Sequence, residues 1–143
     1  MKTNRPDLLD ALRESTNYFL DSAALVPVDA WLNVALGVWS VRDLVGHTSR
    51  ALSNISLLPR NTRGSVSIAS PGEYFVVALA QAGAAEAIAE RGRRQGEMLP
   101  DDPVPELKRQ ASDALSTAEQ VAGDSVIETP SGRMRFDHYL YFP

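Results

Sequence analysis

Apolar side chains return every three or four residues through four long stretches of this sequence, and proline or glycine breaks the pattern between them. That period gathers apolar groups on one stripe of an α-helix, so the chain must bury helical faces against one another. The first stretch, about 6–24, opens with Pro6, whose missing N–H is harmless in the first turn of a helix. Leu8, Leu12, Phe19 and Ala23 form its inner line, and Pro27 stops it. A connection over 26–38 follows, and both Trp31 and Trp39 read as plugs at the end of a bundle.

The second helix is expected over about 41–58. Ser40 with Asp43 three residues on makes a capping box, with aspartate where glutamate or glutamine is commoner. Val41, Leu44, Val45, Thr48, Ala51, Leu52 and Ile55 share one arc of this helix, and His47 falls at the arc's edge, flanking the core. Pro59 ends it, and a polar run leads to a third helix over about 73–98. Its face of Phe75, Val76, Leu79, Ala80, Ala84, Ala87 and Ile88 is thin and alanine-rich, which predicts a close neighbour and a place in the middle of the bundle. Gly92 and Gly96 are expected to weaken its last turns. A fourth helix over about 106–121 buries Leu107, Ala111, Leu115, Ala118 and Val121, with Gly123 as its stop. VIETPSGRMRF then reads as a hairpin over about 125–136 around a Pro-Ser-Gly turn, and Asp137 stands as the cap of a further helix begun by His138 to Phe142. The reading is an all-α fold: one domain over 1–143, a four-helix bundle with a small β-hairpin near the C-terminus.

With 143 residues, 44% of them apolar and 22% charged, the chain suits one compact core. Its net charge of −4 gives no footprint for holding nucleic acid. Charges in MKTNRPDLLDALRE sit where a secretion signal needs an apolar core, and no run approaches the ~20 apolar residues of a membrane span, so a cytoplasmic protein with no membrane partner is expected. The absence of cysteine removes disulfides, thiolate nucleophiles and every cysteine-bearing zinc motif. Two histidines, His47 and His138, are too few for a three-histidine metal site within one chain. There is no phosphate loop, serine elbow or pair of carboxylates spaced for acid–base work, so a metal is the route to catalysis that the residues leave open.

Four segments in order, WSVRDLVGHTSRAL, PGEYFVVALA, AIAERGRRQGEML with the DDP after it, and TPSGRMRFDHYL, resemble the metal-binding domain of mycothiol-dependent maleylpyruvate isomerases, a branch of the DinB-like helical bundles. The resemblance runs from about residue 8 to residue 142. It implies a divalent metal, usually zinc, with His47 as one ligand. It places the other two ligands, a glutamate and a histidine four residues apart, on a helix after the hairpin, where both would share one face. The sequence stops about where that helix is expected, and His138 lies before it rather than in the ligand position. In such a site an open metal position takes an exogenous low-molecular-weight thiol, mycothiol or one like it, and favours its thiolate.

The residues leave two functions open. One is thiol-dependent isomerase or transferase chemistry at a divalent metal, with a small-molecule thiol and substrate as partners. The other is a non-catalytic bundle without its metal site, serving as a binding or dimerisation module. For His47 the plainer role is a histidine hydrogen-bonded at the bundle edge. Asp43 is read as a cap before it is read as a ligand, and Arg91, Arg93 and Arg94 as complements to a helix C-terminus before they are read as anion binders. Glu73, Glu128 and Asp137 are surrogate ligand candidates that nothing singles out, and the terminal tyrosines and Phe142 read as core packing for a later helix. Apolar faces left uncovered by such a helix predict a homodimer.

Overall fold

A computed structural model describes residues 4–61 and 64–142. Its first helix, α1 (Arg5–Ala24), has proline in its first turn and buries Leu8, Leu12, Thr16 and Ala23. A short 3-10 turn over Val28–Ala30 follows. The connection expected over 26–38 contains an antiparallel hairpin, β1 (Val34–Leu36) with β2 (Trp39–Ser40). Gly37, at φ +58°, supplies the left-handed turn that the hairpin needs. The hairpin delivers the chain to the next helix with its free amides already paired: Val41 N donates to Asn33 O and Arg42 N to Trp31 O, each at 2.9 Å.

The helix so started, α2 (Val41–Leu57), carries the expected capping box, with Asp43 N donating to Ser40 Oγ at 3.2 Å and Ser40 N to the Asp43 carboxylate at 3.0 Å. It buries Val45, Gly46, Ser49, Leu52 and Ile55. After Pro59, β3 (Arg60–Asn61) pairs antiparallel with β4 (Val126–Thr129), which in turn pairs with β5 (Gly132–Arg135). The expected C-terminal hairpin is therefore the larger part of a three-stranded sheet.

The single helix expected over 73–98 is two: α3 (Pro71–Ala80) and α4 (Ala84–Met98). The break falls at Gln81, whose backbone is extended, and at Gly83, whose φ of +72° is left-handed. The alanine-rich periodicity runs straight through both residues, which is why it hides the break. The central placement is corrected for the first of the two helices. No residue of α3 is buried, and Phe75, Val76 and Leu79 are 54%, 69% and 61% exposed.

The close approach in the fold lies elsewhere, between α2 and α4. A Cβ on Gly46 would run into the Gly96 backbone, and one on Gly96 would stand 2.9 Å from Arg42 O. Gly92 and Gly96, expected only to loosen the helix, are where it meets its neighbours. The Arg42 guanidinium clamps the junction by donating to the carbonyls of Gly96 (2.8 Å), Leu99 and Pro100 (3.0 Å).

Helix α5 (Val104–Gln120) buries Leu107, Gln110, Ala111, Ala114 and Ala118 and packs on both α1 and α2. A one-turn helix, α6 (Phe136–Tyr139), ends the described chain. It starts earlier than expected, with Arg135 at its N-cap, and Asp137 pairs with the Arg135 guanidinium at 2.7 Å instead of capping. Two apolar clusters result. One joins Leu12, Ile55, Ala114 and Ala118 to Ile127, Met134 and Phe136 of the sheet end, and the other gathers Ala23, Val45, Leu99 and Leu107, with Trp31 against it. The described chain is thus mostly helical, with small antiparallel strand pairings. None of its helices is long and apolar enough to cross a membrane.

Candidate functional site

Helical spacing puts His47, Arg50, Ala51 and Asn54 on one face of α2, three to four residues apart. That face forms one wall of a groove of about 340 Å³. Tyr74, Phe75, Ala78 and Leu79 of α3, Ile88 and Arg91 of α4, and Tyr139 and Phe142 of the C-terminal segment complete it. The kink at Gly83 matters here. The break falls within the lining itself, which includes Gln81, Ala82 and Ala84.

His47 is held from behind by Trp39, with ring centroids 4.7 Å apart and planes 31° from parallel. Trp39 is itself fixed, since its indole N–H donates to Ala89 O at 2.9 Å and its ring lies where a Cβ on Gly92 would stand, 2.8 Å from the nearest ring carbon. A chain of contacts thus runs from a missing side chain on α4, through the tryptophan of β2, to the imidazole on α2. Burial first, then the charges of Arg50 and Arg91, hold the imidazole below the usual histidine range, so it is neutral at pH 7.

The aromatic end of the groove is a packed cluster. Tyr74 and Phe142 have centroids 4.6 Å apart, and Phe75 and Phe142 meet edge to face at 4.8 Å. Of the terminal aromatics, expected as packing for a later helix, Tyr139 and Phe142 meet Tyr74 of α3, and Tyr141 is exposed. Burial pushes the Tyr139 phenol up to about 12 against the opposing pull of a hydrogen bond with Asn54, and burial likewise raises Tyr74 against the pull of Arg91 and Arg50. Both phenols are neutral donors at physiological pH.

The structure separates the three arginines that the sequence groups. Arg93 and Arg94 pair with Glu90 on their own helix, whereas Arg91 lines the groove. Asp43 is the cap it was read as. Glu73 is also a cap residue: its carboxylate accepts from Ala69 N at 2.7 Å, and its own N–H donates to Ser70 Oγ. Glu128 is exposed on β4, and His138 lies outside the groove with its Nδ1 buried and unpartnered. Among the described residues no three of His, Cys, Asp and Glu stand together as a metal site. One imidazole flanked by two guanidiniums does not fit a divalent cation unaided.

Arg50, Asn54 and Tyr74 were not singled out from the sequence. The i, i+3 and i, i+7 spacing from His47 was signal enough for the first two, but nothing local points to Tyr74, which arrives from another helix. Comparison with protein-family models, with curated proteins and with solved structures finds no match to this chain. What the groove can do chemically therefore rests on its own residues: a neutral imidazole that accepts a hydrogen bond or donates a lone pair, two cations, two phenols and an apolar wall. Concave, mostly apolar sites with a few convergent polar groups are where proteins hold small molecules.

Proposed function

We propose that this chain is a DinB-like bundle domain of the kind found in mycothiol-dependent maleylpyruvate isomerases, and that the groove beside His47 is where it holds its small-molecule ligand. The observation that carries this reading is the imidazole at the groove wall, backed by Trp39 and kept neutral by burial and by Arg50 and Arg91. Only a neutral imidazole donates its lone pair to a metal. The chemistry implied by the resemblance is thiol-dependent isomerisation or transfer at a divalent metal, zinc by preference, with mycothiol or a similar thiol supplied from solution. His47 would be one donor, and the remaining donors would have to come from outside the described residues of one chain. A cytoplasmic location and a homodimer belong to the same proposal.

A second reading is favoured by the absence of a donor trio among the described residues and by the two guanidiniums at the site. In it the domain is a metal-free binding or dimerisation module. Elemental analysis of the purified protein divides the two. A stoichiometric divalent metal that disappears in His47→Ala, with the fold retained by circular dichroism, is expected for the first. Metal-free protein that folds equally well in both forms establishes the second.

A further inference from the structure

Eleven arginines fall within the described residues. Nine have a hydrogen-bonded or ionic partner there. Arg13, Arg93, Arg94, Arg109 and Arg135 pair with carboxylates. Arg5, Arg42 and Arg60 donate to backbone carbonyls, and Arg133 to a serine hydroxyl. The two that have none are Arg50 and Arg91, and both line the groove. They come from different helices, α2 and α4, and line the same groove as His47 and Tyr74. The lining holds no carboxylate, so an anion entering the groove meets two guanidiniums without a competing counter-charge, and the guanidinium fork is the natural match for a carboxylate. The rest of the lining sets the other half of the ligand. Tyr74, Phe75 and Phe142 present aromatic faces and edges, and Ala78, Ala82, Ala84 and Ala87 leave space beside them.

We propose that Arg50 and Arg91 are the anion-holding end of the groove and that its ligand is a small organic carboxylate with a flat, ring-sized apolar body. The carboxylate sits between the two guanidiniums, and the ring lies against Tyr74 and Phe142. This assignment rests on the groove being the functional site but requires no metal. The Arg50 guanidinium, three residues from His47, positions the ligand's head beside the imidazole.

The test is calorimetric titration of the full chain, dialysed against a chelator, with benzoate, its neutral isostere benzamide, and inorganic phosphate. Benzoate is expected to bind, with benzamide weaker by roughly tenfold or more, the loss that goes with one charge-assisted hydrogen bond. Arg50→Gln and Arg91→Gln are each expected to lower benzoate affinity by a similar factor, while Arg94→Gln, whose partner is Glu90, leaves it unchanged. The benzamide comparison needs no variant, so a misfolded substitution does not blunt it. Benzamide binding as tightly as benzoate overturns the clamp and leaves the groove reading standing. Phosphate binding as tightly as benzoate overturns the aromatic body. Failure of all three probes to bind overturns both the clamp and the groove.

Discussion

At the scale of single residues the site turns on a neutral histidine, and its titration is measurable. His47 faces Arg50 on its own helix, Arg91 on α4 and Tyr74 on α3, and burial is the largest influence on it. An NMR titration should therefore place its midpoint below the model-peptide value of about 6.5. Arg91→Gln should raise that midpoint without restoring it, since burial remains. The sign for stability follows from proton counting. Between the folded midpoint and that of the free side chain the unfolded chain binds more protons, so this histidine's contribution to stability is full above about 6.5 and falls as pH drops through the folded midpoint. A midpoint at or above 6.5 would remove the electrostatic account of the site. The Asp43 cap was legible in the sequence because a capping box is a local pattern, running only from Ser40 to Asp43. The separation of Arg91 from Arg93 and Arg94 was not, because it depends on which side of α4 meets α2, and that is settled by a contact between glycines far apart in the chain, Gly46 beside His47 and Gly96 on α4.

Those glycines belong to the scale of elements. Helices whose side chains interdigitate keep 8–10 Å between axes, and closer packing needs positions with no side chain at all. Gly46 on α2 and Gly96 on α4 are such positions, the first facing the Gly96 backbone and the second the backbone of Arg42 and Asp43. Gly46→Ala should destabilise the fold by roughly 1–3 kcal/mol as an overpacked contact, read as a lower urea midpoint with unchanged slope. It should also disturb ligand binding, because the same junction sets the spacing of His47 and Arg91. An exposed glycine such as Gly72, with nothing near its Cβ position, is the control and should tolerate alanine. If Gly46→Ala matches wild type, the two helices do not touch as described. Helix periodicity located α1, α2 and α5 within two residues at each end because each has an uninterrupted apolar stripe and a proline or capping signal at its start. It failed over 73–98, where alanine satisfies any period and Gly83 breaks the helix without breaking the pattern.

The whole molecule leaves a surface that its sequence marks as interior. Helix α3 is apolar through PGEYFVVALA yet has no buried residue, and helices apolar on every side are ordinarily enclosed. Val76 at 69% exposed and Leu79 at 61% exposed project from it. Isolated exposed apolar residues are normal, but three large ones on one short helix, Phe75, Val76 and Leu79, are the kind of patch found at protein–protein contacts. A second copy packing α3 against α3 would be an isologous contact, the commonest symmetry among soluble oligomers, and would draw the groove walls of both copies into one assembly. Size-exclusion chromatography with light scattering should then give twice the 15.6 kDa chain mass. Val76→Glu should return the single-chain mass, because two such carboxylates facing each other across a two-fold axis repel where two valines had packed. Val76 does not line the groove, so the carboxylate affinity of the monomer it produces tells whether each groove works alone. Unchanged affinity means that one chain carries a complete ligand site. A loss that tracks the dissociation means that the partner's α3 holds the wall in place. A wild-type chain that stays at the single-chain mass up to its solubility limit removes the α3 interface.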